Sequence, residues 1–391
     1  MSSSAARLRA YTGPALVSFG FRPFFLFGAV WAALAVAIFV LAFEGYIELP
    51  SVFAPVIWHQ HEMIFGYVPA IIAGFLLTAV PNWTGRLPIV GPGLGILFAV
   101  WIAGRLAVFC SIFIGPWIAA AIDLAFLALL AAVIGREVVA ARDARNMKVL
   151  VIVGLLFMAN LTFHYEAIVG SWQGMSSRLG ISLEILLICL IGGRIVPSFT
   201  RNWLAKRNST ILPVPFGRLD GTVMVITAAA LAIWTFRPED HLTILAAAIA
   251  AAANTLRLSR WAGHRTGDEP LVLVLHVAFA FVPLGFALVA LAGLAPGLLL
   301  PSGAIHAWTA GAIGMMTLAV MTRASLGHTG RPLTATPQIT FVYIAVFASA
   351  VARIALAFGI LQEVMIAISA IAWVLGFVGF AAIYAPLLLR R

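Results

Sequence analysis

Charged side chains are scarce in this chain, at 10% of 391 residues against 63% hydrophobic. A soluble globular domain carries about a quarter charged residues, so lipid must solvate most of this polypeptide. Cysteine is scarcer still. Cys110 and Cys189 are the only two, each inside an apolar run, where a thiol packs as a small hydrophobe. No Cys-x-x-Cys-His is present, which excludes covalent heme attachment. The chain also lacks a Gly-x-x-x-x-Gly-Lys-Ser/Thr loop, and with it a nucleotide site of that kind. There is no serine nucleophile elbow, and His61-Glu62 has no second histidine four residues after the first, so hydrolase readings fall away. No connection is long or polar enough for a separate soluble domain. No small-residue cleavage site follows the first apolar run, so the short basic stretch Met1–Thr12 is read as a tail, not as a signal peptide.

What is abundant is apolar sequence, with a mean hydropathy of +1.06. Spanning about 30 Å of hydrocarbon takes roughly 20 apolar residues. Runs of that kind are expected at 21–42, 58–80, 91–111, 116–134, 148–165, 178–198, 218–236, 240–258, 270–293, 303–323, 338–360 and 364–388. The expected fold is an all-α polytopic membrane protein of about twelve transmembrane helices, forming one membrane domain over 1–391. With the N-terminus inside, the basic residues from Arg7, Arg9 and Arg86 to Arg390 and Arg391 fall at or near the cytoplasmic face. The opposite loops hold only Arg178 and Arg237, with Glu44, Glu48, Glu239 and Asp240. This positive-inside asymmetry puts both termini in the cytoplasm. It also accounts for the net charge of +10 without a nucleic-acid partner.

An internal repeat is visible. His61–Arg86 aligns without gaps on His306–Arg331, pairing His61 with His306, Gly66 with Gly311, Ala79 with Ala324, and Thr84-Gly85-Arg86 with Thr329-Gly330-Arg331. The following helix carries an intramembrane arginine each time, Arg105 and Arg353. Val196-Pro197-Ser198-Phe199-Thr200-Arg201 echoes Val80-Pro81-Asn82-Trp83-Thr84-Gly85-Arg86. Helices 2, 6 and 10 are therefore related, and a period of four suggests three four-helix units, as in subunit I of heme-copper oxidases. That comparison is a fold-level analogy.

Ionisable side chains inside a bilayer are costly and mark functional sites. His59, His61, His164 and His306 are expected at one outer level, with Arg105, Arg353, Asp123, Glu166 and Glu184 in the outer leaflet nearby. Imidazole ligates heme iron and copper, and arginine pairs bidentately with carboxylates such as heme propionates. The constellation fits a metal cofactor, although the carboxylates also suit the role of ion-pair partners for the arginines. On a regular helix His59 and His61 point about 200° apart, so they meet one site only if the helix start is irregular and otherwise face two partners. His276 sits nearer the cytoplasmic side, where packing and ligation are both open. His328 falls in an expected cytoplasmic loop, Gly327–Arg331.

Phe21-Arg22-Pro23-Phe24-Phe25-Leu26 and Trp58–Gly66 (WHQHEMIFG) resemble the opening signatures of the NnrS family. Gly74–Arg86, Gly192–Asn202, Leu275-His276 and His306–Arg331 are similar to its other blocks, in the same order over nearly the whole chain. The resemblance implies a bacterial inner-membrane protein with non-covalent heme b and with copper as a second metal, tied to nitric oxide metabolism and nitrosative stress tolerance. His59, His61, His164, His276, His306 and His328 match family positions; only the depth argument assigns His59, His61, His164 and His306 to metal and Arg105 and Arg353 to propionates. A nitric oxide reductase-like oxidoreductase would need a quinol or another membrane electron donor, and a proton route through Glu62, Glu166 or Glu184. Binding without turnover is the other form of the same reading. The alternative from a different class is a twelve-helix secondary transporter without a redox cofactor.

Overall fold

A computed structural model describes residues 11–85, 88–142, 144–171 and 174–390, without the side chains of 144 and 145. Arg7, Arg9, Arg86 and Arg391, used above for topology, lie outside the described residues, as does the side chain of Arg145. Among the described residues every regular element is helical. Twelve helices are long and apolar enough to cross a membrane: α1 (Phe21–Phe43), α2 (Pro55–Thr84), α3 (Pro92–Phe109), α4 (Pro116–Ala140), α5 (Asn146–Val169), α6 (Met175–Ala205), α7 (Arg218–Phe236), α8 (His241–Arg265), α9 (Pro270–Leu294), α10 (Pro301–His328), α11 (Pro337–Ala357) and α12 (Gln362–Leu389). The protein is a multi-pass membrane protein.

Proline sets many of the boundaries. Helices α2, α3, α4, α9, α10 and α11 each begin on a proline, whose fixed φ suits the first helical position and whose missing N–H would be an orphan there anyway. Two expected ends are corrected by prolines that sit inside helices. Pro81 and Pro197 do not stop α2 and α6, which run on to Thr84 and Ala205. Gly85, at φ +69°, then supplies the left-handed residue that terminates α2. The expected loop around His328 is likewise corrected. α10 continues through His328, and only Thr329 leaves it.

The repeat has a local structural counterpart. In α2 the segment Glu62–Tyr67 is π-helical, directly after His61; in α10 the π segment is Ala307–Gly314, directly after His306. These are equivalent positions in the gapless alignment, and π segments concentrate at functional sites. At the other end, Thr84 and Thr329 donate to Val80 O (2.9 Å) and Ser325 O (2.6 Å), and Thr200 donates to Val196 O at 2.8 Å.

Packing divides the chain into two compact units, 1–180 with 380–391, and 181–379, a division that does not follow the four-helix period. In the first, α4 packs against α2, α3 and α5, and α1 against α2. Arg22, buried on α1, donates through Nη1 to Leu387 O, Leu388 O and Arg390 O at 3.3, 3.0 and 2.7 Å. The Arg-Pro-Phe-Phe motif therefore caps the carbonyl end of α12, where cations are favoured. In the second unit, α8 packs against α7 and α9, and α10 against α9 and α11. Buried Arg257 of α8 donates to Asp220 Oδ1 (3.1 Å) and to Cys189 O (3.1 Å), locking α6, α7 and α8 together.

Candidate metal centre

The first unit buries a polar cluster among aromatic side chains. Its members are His61 and Glu62 of α2, Arg105 of α3, Asp123 of α4, and Asn160 and His164 of α5, none more than 3% exposed. The π segment begins beside His61 and Glu62, widening the helix where these two side chains turn inward. The carbonyl of Gly66 within it accepts from Trp101 Nε1 at 2.9 Å. Gly66 carries no Cβ because the Arg105 guanidinium and the Glu62 carboxylate occupy that space.

Asp123 is the hub. Its Oδ2 accepts from Asn160 Nδ2 (2.8 Å), His164 Nε2 (3.0 Å) and His61 Nε2 (3.2 Å), and its Oδ1 accepts from Arg105 Nη2. Arg105 Nη1 donates to Glu62 Oε2 at 2.5 Å, and Trp31 Nε1 donates to the same oxygen at 2.8 Å. His61 meets acceptors at both ring nitrogens: Glu62 Oε1 faces Nδ1 at 3.0 Å, and Asp123 Oδ2 and Asn160 Oδ1 face Nε2, each at 3.2 Å. A neutral imidazole has one N–H, so this environment calls for a cation at His61, either a second proton or a metal ion at Nε2.

Charge counting agrees. Glu62, Asp123 and Arg105 sum formally to −1, and buried charge must be balanced. The ligand atoms of His61, Asp123 and His164 lie within 4.8 Å of one another, a two-histidine, one-carboxylate donor set suited to a first-row transition metal. Glu62, on the far nitrogen of His61, is the carboxylate partner that orients a metal-bound imidazole. A porphyrin does not fit between the two histidines. Two imidazoles on opposite faces of one iron, with bonds of about 2 Å, need ring centres more than about 6 Å apart, and these stand 4.8 Å apart, enclosed by Phe53, Phe65 and Phe163. His164 Nδ1 is buried with no partner among the described residues.

Of the residues singled out from the sequence, the structure brings together His61, His164, Glu62 and Arg105. His59 is separate, stacked on Phe39 with ring centres 4.1 Å apart, so the two-partner alternative for His59 and His61 is the one realised. Both terminal nitrogens of Arg105 are engaged by protein carboxylates, the ion-pair alternative. Glu166 accepts from Ser176 at 2.7 Å, and both oxygens of Glu184 are buried without a partner among the described residues.

The remaining positions lie in the second unit. His306 Nδ1 donates to Ser302 O at 2.6 Å, which leaves Nε2 as a lone pair accepting from Arg353 Nη2 at 2.8 Å. His276 Nε2 donates to Thr200 Oγ1 at 2.8 Å, because that hydroxyl spends its own proton on Val196 O. His328, exposed, closes α10. Sequence reasoning missed Asn160, and it placed Asp123 among the arginine partners, not among the ligands. The available signal was the spacing of Asn160 and His164, four apart on one helix face.

No curated protein matches the chain. The model of one protein family does, that of the NnrS protein, over residues 15–391, and it does not favour the transporter alternative. With a match over nearly its whole length, the chain belongs to the NnrS family.

Proposed function

We propose that this protein binds nitric oxide at a transition-metal centre held by His61, His164 and Asp123, and protects a bacterium from nitrosative stress. The observation that carries the proposal is His61, fully buried with both ring nitrogens against acceptors, inside a set of formal charge −1. Copper fits the N, N, O donor set by ligand type. Within it Glu62 orients His61, Arg105 balances the two carboxylates, and Asn160 holds Asp123 in place. Phe53, Phe65 and Phe163 exclude water, which strengthens every charge interaction inside.

Heme, implied by family resemblance, has its best-suited ligand in His306. The Nδ1–H donation to Ser302 O orients the ring; iron would take the Nε2 lone pair by displacing Arg353, which holds it at 2.8 Å, and the released guanidinium would then suit a propionate. A bound heme would supply one-electron chemistry. A quinol or another membrane donor would provide the electrons for a reductive reaction, with Glu62, Glu166 and Glu184 as candidate proton carriers. The distribution of basic residues supports a bacterial inner-membrane location with both termini cytoplasmic.

The test is purification in detergent, metal analysis, and optical and paramagnetic resonance spectra of the oxidised, reduced and nitric oxide-treated protein. A metal signal that shifts with nitric oxide and disappears in His61→Ala and His164→Ala supports the centre. Metal-free, colourless protein from cells well supplied with copper and heme would sink it.

A further inference from the structure

A crevice of about 480 Å³ runs between α4 and α5, lined by Trp117, Ala120, Ala121, Leu124, Leu161, Thr162, His164 and Tyr165. Its outer rim is exposed, with Trp117 at 58%, Tyr165 at 54% and Leu161 at 40%. Both helices span the membrane, so this rim faces acyl chains. The lining holds little for a polar solute. Thr162 donates its hydroxyl proton to Met158 O at 2.9 Å, and the walls are otherwise mainly alanine, leucine and aromatic surface. His164 is the exception. Only 2% exposed, it lines the crevice and also presents Nε2 to Asp123 Oδ2 at 3.0 Å. One imidazole thus stands between a lipid-facing opening and the charged cluster.

We propose that this crevice is a lateral port by which a small, uncharged, lipid-soluble gas passes from the acyl phase to the metal centre, with His164 as its inner wall. The inference rests on the metal-centre reading for its destination. Lipid favours an apolar diatomic over water and offers nothing to an ion, so a port opening there selects its substrate by phase before any contact with metal. An anion such as nitrite finds no cationic side chain among the residues that line this wall.

The experiment uses the full chain in lipid nanodiscs. Ala121 is exposed on the rim side, so Ala121→Trp fills the crevice without disturbing the core; Ala121→Phe is the second variant, and Leu155→Trp, on an exposed position of α5 outside the crevice, is the control. Rapid mixing or flash photolysis should show nitric oxide capture slowed at least 10-fold in Ala121→Trp, with the final spectrum and metal content unchanged and the control at the wild-type rate. Wild-type capture rates in both Ala121 variants overturn the port. Xenon under pressure in crystals gives a readout that needs no metal: xenon density in the crevice of the wild type, displaced in Ala121→Trp, is expected. A crevice filled by an ordered acyl chain that excludes xenon overturns the proposal. Failure of the wild type to bind nitric oxide removes the metal-centre reading, while the xenon result still decides the port.

Discussion

Asn160 and His164, one helical turn apart on α5, both donate to the same oxygen, Oδ2 of Asp123, at 2.8 and 3.0 Å. Asn160 also turns its Oδ1 toward His61 Nε2 at 3.2 Å, so one amide positions both the carboxylate and the imidazole across from it. Asn160→Leu keeps the volume and removes these bonds. Metal affinity is expected to fall about 10–100-fold, the usual cost of losing an orienting partner, measured by titration with a competing chelator.

Asp123→Asn and Arg105→Ala should separate metal binding from folding. The asparagine variant raises the formal charge of the cluster from −1 to 0, so the protein should remain folded and lose metal. Arg105→Ala leaves two buried carboxylates without their cation, and removing one partner of a buried pair costs about 3–5 kcal/mol. Thermal unfolding in detergent should show a large loss for the arginine variant and a small one for the asparagine variant.

Gly66→Ala tests the close approach of α3 to the π segment. The added methyl meets the Arg105 guanidinium and the Glu62 carboxylate, and overpacking of this kind costs about 1–3 kcal/mol. Lower metal content with an unchanged helical circular dichroism spectrum is expected; full metal content would show that the ion pair has room to shift.

Arg22→Ala strips three carbonyls at the end of α12 of their donor. A charged hydrogen bond in a buried setting is worth about 2 kcal/mol, so the last turn of α12 should fray. Faster amide exchange over residues 385–390 and faster proteolysis at Arg390 would register it, with the metal centre unaffected.

Asp240 caps α8 by accepting from Leu242 N at 2.8 Å, and that hydrogen bond, with Arg237 nearby, holds its carboxyl below the usual range. A folded value below the unfolded one, about 3.9, means the cap is fully present at neutral pH and is lost as pH falls through the folded value. The protection factor of the amides at the start of α8, corrected for intrinsic exchange, should therefore be steady from pH 8 down to about pH 5 and fall only in stronger acid. Asp240→Ala should remove that pH dependence.

The number of helices was legible from the apolar runs, because a bilayer demands about 20 apolar residues per crossing and internal satisfaction of every backbone group. The relation of α2 to α10 was legible in His61 and His306, and the π segments that follow them place an irregularity at the same point of each. That irregularity was not itself visible in the residues, since a π turn depends on neighbouring side chains accepting the freed geometry. The same holds for helix ends: the apolar runs end at residues 80 and 198, yet the helices run on through Pro81 and past Pro197 to Thr84 and Ala205, since within packed helices the proline turn is tolerated.

By itself the sequence determined a twelve-helix membrane protein, because solvation by lipid leaves no other solution for such composition, and its motifs carried the NnrS family and a short roster of intramembrane ionisable residues. Tertiary structure alone decided which of those residues meet. Asp123, His164 and Asn160 reach His61 from helices α4 and α5, 62 and 99 residues along the chain from it for Asp123 and Asn160. His59, two residues away, faces Phe39 instead. Helix periodicity sets direction within one helix, but the rotation of each helix against its neighbours comes from packing over its whole length, and that rotation turned a list of polar residues into one connected cluster of formal charge −1.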